Sequence, residues 1–292
     1  MNPSSTNSPY VSTSKTEHTP YRHVTILDIA GAIEEKAPLS LQESWDISGW
    51  QTTPMPPATT ECTGVLLCLD VTTAVIDEAA SLGCNLIVSH HPLLFKAVRS
   101  LTGATPAQRA IMRAIALGID IYSAHTSLDS APEVGVSIRL ARQLGLTDIS
   151  PLSPSASHPG AGLGAVGTLA DAPLSHADFI ALVKRVYSAP AVRITSGPDR
   201  IASTGISRVA LCSGSGGEFI ADAIAAGADA YISSDIRYHD FLDYGGDILL
   251  VDTCHWESEI CTKSIFSEII SQKFPNFAVN MSTCEPCPVA II

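Results

Sequence analysis

The sequence predicts an α/β chain in two halves, each with strands and helices in alternation around a mostly parallel sheet. Three observations carry this. Apolar runs such as Gly64-Val65-Leu66-Leu67-Cys68-Leu69 end after about six residues, the length of a strand buried on both faces. These runs alternate with segments of helical character, the pattern of βαβ units. A stretch at 150–165 dominated by Ser, Pro, Ala and Gly interrupts the alternation, which then resumes.

In chain order, 24–36 reads as a helix stopped by Pro38, and 51–61, with three Pro and four Thr, as a loop. A strand at 64–70, a helix at 73–82, a strand at 85–89, a helix at 106–117, a strand at 120–124 and a helix at 134–144 complete the first half. After the break come a strand at 165–169, a helix at 176–187, a strand at 209–212 and a helix at 218–226. Strands at 230–233 and 248–252 and a helix at 256–271 follow. The expected organisation is a disordered tail at 1–21, one α/β domain over 22–150 and a second over 151–292.

Composition narrows the function. Of 292 residues, 46% are apolar and 16% charged, which excludes a largely disordered chain. No uncharged apolar stretch reaches the ~18 residues of a membrane span. The formal charge of −12 argues against a broad basic face for nucleic acid. The first 20 residues are rich in Ser and Thr, hold no apolar segment of the kind a secretory signal needs and contain no Arg, so a cytoplasmic location is expected. A chain this large and apolar has no need of disulfides among its eight Cys; Cys68 and Cys212 fall inside apolar runs as small core residues. Cys284-x-x-Cys287 has no second such pair, so it is a weak signal for structural zinc.

The chemistry concentrates at strand ends, where parallel sheets present functional groups. The strand at 85–89 runs into His90-His91-Pro92, and the next into His125 and Asp129. The strand at 248–252 runs into Cys254-His255, with Glu259 following; another ends at Ser233-Ser234-Asp235, ahead of His239. Read singly, each motif has an ordinary alternative. His90-His91 can be a polar loop pair, and Asp129 a helix cap. His255 and Glu259, four apart, share one helix face but can be an exposed pair, while Glu257 is turned about 200° away from His255. Taken together, three His and two carboxylates make a ligand set for two divalent ions, with Glu259 as the natural bridge. Ser213-Gly214-Ser215-Gly216-Gly217 could cradle a phosphate, but an ordinary tight turn explains the glycines better.

These motifs, with Trp45-Asp46-Ile47-Ser48-Gly49, Ser89-His90-His91-Pro92-Leu93, Ala124-His125-Thr126-Ser127-Leu128-Asp129, Ser213-Gly214-Ser215-Gly216, Asp235-Ile236-Arg237-Tyr238-His239 and His255-Trp256-Glu257-Ser258-Glu259, resemble the Nif-three-like dinuclear-metal proteins, often labelled GTP cyclohydrolase I type 2 homologs. The resemblance runs from about residue 22 to the end of the chain. It implies two similar three-layer α/β domains facing a central cleft. It implies two divalent ions per subunit (zinc, iron, manganese or cobalt), one held by His90 and His255, the other by His91 and Asp129, with Glu259 bridging. His125 and His239 become outer-sphere or acid/base candidates. It also implies a ring-shaped homohexamer, a trimer of dimers. The short segment at 150–165 leaves no room for the extra domain of longer relatives. Two positions depart from the pattern: Cys254 stands where Gly is usual, and Ser233-Ser234-Asp235 replaces Thr-Gly-Asp.

Two divalent ions outweigh two carboxylates and a hydroxide, so the pocket would be positive within an acidic protein and would favour a small anionic substrate. The expected function is hydrolysis of a phosphorylated or nucleotide-like compound by water activated at the ions, with His125 or His239 moving the proton. The alternative is a non-catalytic hexameric scaffold or metal-responsive adaptor.

Overall fold

The computed structural model describes residues 23–171 and 173–292; the tail expected at 1–21 lies outside the described residues. The first sheet-forming region comprises α1 (Ile26–Lys36), β1 (Gly49–Thr52), β2 (Val65–Cys68), α2 (Thr73–Ser81), β3 (Leu86–Ser89), α3 (Pro106–Leu117), β4 (Asp120–Ser123), α4 (Thr126–Asp129) and α5 (Val136–Gln143). Next come β5 (Leu146–Ser150), the small hairpin β6 (Ser153–Pro154) and β7 (Gly162–Leu163), β8 (Ala165–Leu169), α6 (His176–Tyr187), β9 (Arg193–Ile194) and α7 (Arg200–Thr204). The chain ends with β10 (Arg208–Ser215), α8 (Ile220–Ala225), β11 (Ala230–Ser234), α9 (Tyr238–Tyr244), β12 (Leu249–Asp252), α10 (His255–Glu259), α11 (Thr262–Lys273) and β13 (Val279–Met281).

Local chemistry sets the helix ends. Thr25 caps α1 in a reciprocal box with Asp28, and Thr72, Thr105 and Ser175 cap α2, α3 and α6 through their hydroxyls. Pro106 opens α3 and Gly118, at φ 67°, closes it.

The first sheet has the order β1-β4-β3-β2-β13 and is parallel except for β1, which runs against β4. The second has the order β5-β8-β10-β11-β12-β9. Only β10, β11 and β12 are parallel in it; β5, β8 and β9 run antiparallel to their neighbours. The expectation of a mostly parallel second sheet is corrected here. The residues joining β5 to β8 hold a hairpin and no crossover helix, and a parallel connection requires one. Sheet membership also does not follow the 150/151 division: β5 joins the second sheet, and β13 returns to pair with β2 of the first. The loop expected at 51–61 begins with the end of β1, and the helix expected at 256–271 is two helices. Between them Ile260 and Cys261 have ψ of −21° and −14°, flattened from the helical value, which lets the axis turn.

Alternation along the strands distributes the core. Val65, Leu67, Leu86 and Val88 face α1 and α11, whereas Leu66, Cys68 and Ile87 face α2 and α3. In the second sheet Val209, Leu211, Ala230, Ile232, Leu249 and Val251 face the same central core, joined there by α5 and α6. Ala210, Cys212, Tyr231 and Leu250 face α8. Each sheet is thus covered on both faces, and the helices between the two sheets share one core. This is the three-layer α/β architecture. It points the C-terminal ends of β3, β4, β11 and β12 toward one another across a cleft.

Candidate metal centre

His90 and His91 follow β3 directly. Their N–H groups donate to Cys68 O (3.2 Å) and Leu69 O (3.0 Å), so the backbone stays tied to β2 while both rings enter the cleft. Across it, α10 carries His255 and Glu259. The Glu259 carboxylate is the hub: Oε2 lies 2.9 Å from both His91 Nε2 and His255 Nε2, and Oε1 lies 3.8 Å from His90 Nε2. Asp129 Oδ2 lies 3.7 Å from His90 Nε2. All five expected ligands therefore converge. Their shortest approaches place His91 with His255 and Glu259, and His90 with Asp129, a different grouping from the one the resemblance implies.

Each ring is held from behind. His90 Nδ1 donates to Ala124 O (3.0 Å), which fixes its tautomer because a carbonyl can only accept. His91 Nδ1 donates to Asp70 (2.8 Å), His125 Nδ1 to Asp46 (2.8 Å) and His255 Nδ1 to Asp235 (2.7 Å). All four Nε2 atoms are left for the cleft. This backing of imidazole by carboxylate or carbonyl is the usual outer support of metal ligands. No residue pattern marks Asp46, Asp70 and Asp235 as orienting groups; the signal they carry is position, since Asp70 follows the apolar run of 64–69, Asp46 lies in Trp45-Asp46-Ile47-Ser48-Gly49 and Asp235 follows Ser233-Ser234.

The donor set fits cations. Buried His90 Nε2 and Asp129 Oδ1 have no hydrogen-bond partner, an expensive arrangement that a cation relieves. His91 and His255 each donate through Nδ1 to a carboxylate and face Glu259 through Nε2, so a proton lies on each where a cation would bind. Burial alone would lower both imidazoles, but Asp70 and Glu259 push His91 up to about 10, and Glu259 and Asp235 push His255 up to about 9. Burial raises Asp129, whereas the surrounding histidines, His255 foremost, hold Glu259 well below the carboxylate range against its burial.

Glycine makes the hub possible. Gly214 sits at φ 64°, and a Cβ there would lie 2.1 Å from Glu259 Oε1. Its N–H donates to Ser258 Oγ, and its carbonyl accepts from Ser233 and Ser234 Oγ. The Gly216 N–H donates to Ser233 Oγ. These amides are already used, so the glycine run serves the tight turn and the approach of Glu259. Cys254, at φ 68°, occupies a conformation glycine adopts readily, which accounts for the departure noted in the sequence as a strained substitution.

His125 lies closer to the ligands than an outer-sphere role requires: its ring centroid is 5.2 Å from His90 and 5.6 Å from His91, and the three offer ligand atoms to one point. His239 is not brought in. It is exposed, its ring packs on Tyr238 at 5.4 Å, and it belongs to none of the potential ligand groups among the described residues. The exposed rings of Trp45 and Phe95, 6.1 Å apart, flank His125. The eight cysteines are free.

Fold and site together define an α/β protein with a His/carboxylate cluster able to bind metal, placed between two sheets. The chain belongs to the Duf34/NIF3 (NGG1p interacting factor 3) family, whose model matches residues 24–288. A Nostoc sp. protein named GTP cyclohydrolase 1 type 2 homolog is 36% identical over 212 residues, covering 72% of this chain and 78% of that protein. A Clostridium acetobutylicum protein of the same name is 29% identical over 257 residues, 87% and 92% of the two chains. Among solved structures, a Staphylococcus aureus protein superposes with a TM-score of 0.80 at 29% identity, covering 93% of this chain and all of that one. A Bacillus cereus protein related to NIF3 reaches 0.81 at 21% identity over 93% of this chain and all of that one, a likeness of fold.

Proposed function

We propose that this protein binds two divalent ions in the cleft and hydrolyses a phosphorylated or nucleotide-like substrate. The observation that carries the reading is the convergence of His90, His91, Asp129, His255 and Glu259, with His90 Nε2 and Asp129 Oδ1 buried and unpartnered. Bound ions would supply Lewis-acid polarisation of an ester or phosphoryl oxygen and acidify water at neutral pH. The chain's own residues do the rest. Asp46, Asp70, Asp235 and the Ala124 carbonyl hold the rings in place, and Glu259 joins the two sides. His125, fixed by Asp46 and facing the ligands, is the better placed of the two acid/base candidates. Trp45 and Phe95 offer exposed faces beside it for a base or other planar group. The printed name of the relatives suggests GTP as one substrate to test.

The test is elemental analysis of the purified protein with a hydrolysis screen over phosphoesters and nucleotides, in wild type and His91→Ala. Two ions per chain and a hydrolysed substrate, both lost in the variant, are expected. Metal content and turnover unchanged by the substitution would refute the reading. Filled sites without turnover would favour the scaffold. The homohexamer and the cytoplasmic location are part of the proposal, tested by light scattering and cell fractionation. Among the described residues, no helix is long and apolar enough to cross a membrane.

A further inference from the structure

A second group of potential ligands lies outside the centre just described. Glu257 sits between His255 and Glu259 on α10 but is turned about 200° from His255. Its carboxylate meets Cys254, at the start of the same helix, and Cys287 of the C-terminal segment; ligand atoms of the three lie within 4.8 Å of one another. Glu257 is only 8% exposed, and its Oε2 has no hydrogen-bond partner. Its Oε1 accepts from the Cys287 thiol at 3.9 Å, and the Cys254 thiol faces the same carboxylate; both are weak donors. A nine-tenths buried carboxylate with one empty oxygen, facing two thiols, lacks the compensation that burial of a charge demands.

The segment bearing Cys287 is pinned in place. Glu78 accepts from Ser282 Oγ (2.6 Å) and from Thr283 N and Oγ1 (2.9 and 2.7 Å). Glu285 accepts from Leu69 N (2.9 Å), Asp70 N (3.1 Å) and Lys263 Nζ (2.8 Å). The thiol is thereby delivered to α10 by contacts independent of the group itself. Cys254 also borders an open groove lined by Asp235, Val289 and Ile291, which gives an ion a way in.

We propose that Cys254 Sγ, Cys287 Sγ and the Glu257 carboxylate form a separate site for one soft divalent cation of the zinc type. Two thiolates and a carboxylate are a ligand set suited to zinc or cadmium, with a fourth position left open. The cation ties the C-terminal segment to the turn that presents His255 and Glu259. The thiols lose their protons to solvent on binding, and two thiolates with one carboxylate outweigh the ion's charge by one, leaving the fourth position to a neutral ligand such as water.

The probe is cadmium added to the reduced, chelator-treated full-length chain, read by the ultraviolet sulfur-to-cadmium charge-transfer band, which His and carboxylate ligands do not produce. A band whose full height corresponds to one thiolate-bound cadmium per chain is expected, ions taken up by the His/carboxylate centre being silent in it. Cys254→Ser and Cys287→Ser should each weaken cadmium binding at this band at least about tenfold. Glu257→Gln should keep the band but weaken it about tenfold, a check that does not depend on removing sulfur. Cys284→Ser and His91→Ala should leave it unchanged. Absence of the band in wild type, its persistence at undiminished height and affinity in Cys287→Ser, or its loss in His91→Ala would each overturn the proposal, the last by assigning the sulfur to the main centre.

Discussion

The two sheets supply the metal centre differently. The first delivers His90, His91 and His125 from the ends of adjacent parallel strands and Asp129 from the one-turn helix α4 that follows β4, with the backbone after β3 still hydrogen-bonded to β2. The second delivers His255 and Glu259 on a five-residue helix entered through Cys254 at φ 68°, with two further left-handed positions beside it, Asp235 at φ 54° after β11 and Gly214 at φ 64° near the end of β10. Among the histidines exposure follows the same division, from His90, wholly buried, through His125 and His91, to His255, with 36% of its side chain exposed. The first side is therefore fixed by sheet pairing and burial. The second depends on a few unusual backbone conformations and is the side at which single substitutions should do the most damage.

The largest effect is expected at Glu259, which faces both sides. Glu259→Gln should lower metal content, by elemental analysis, to under about a tenth of wild type, because a neutral amide cannot take the place of a bridging carboxylate. Gly214→Ala should approach that loss without touching a ligand, since the new methyl would displace Oε1; roughly 1–3 kcal/mol of stability should go with it in denaturant unfolding. A glycine variant with full metal content would show the second side to be more forgiving than its geometry.

The orienting carboxylates sharpen the contrast. Asp235→Asn behind His255 and Asp70→Asn behind His91 should each weaken metal affinity about 10–100-fold by competition with a chelating dye. The loss should be greater for Asp235→Asn, because His91 keeps its backbone tie to β2. Acid should weaken both sides. With imidazoles raised to about 10 and 9, His91 and His255 are charged at neutral pH in the ion-free chain, so metal uptake must expel protons. Calorimetry in buffers of different ionisation enthalpy should show that release, and affinity should rise with pH until the imidazoles are neutral. The smallest effect belongs to His239→Ala: this exposed residue should leave metal content unchanged.

Much of this was legible in the chain because it depends on nearby residues. Thr25, Thr72, Thr105 and Ser175 mark helix starts by caps within the next three positions, and β3 and β12 announce themselves as short apolar runs ending in His or Asp-Thr-Cys-His. β1 and β5 were hidden. Gly49–Thr52 lies between polar and Pro-rich segments, and Leu146–Ser150 is largely exposed, so neither has the apolar pattern of a buried strand. Their strand form comes from pairing with β4 and β8.

The sequence by itself determined the α/β class, the presence of His and carboxylate ligands at strand ends and the shared face of His255 and Glu259, all of which follow from periods of two and 3.6 residues. Tertiary structure alone decided which groups meet. It placed Glu259, 168 residues from His91, against that ring, and put Asp70, Asp46 and Asp235 behind separate histidines. It sent β13 back to the first sheet and so brought Cys287 to Glu257, 30 residues away, while leaving His239 outside. Periodicity states which way a side chain faces; only packing of the two sheets across a shared core sets what it faces.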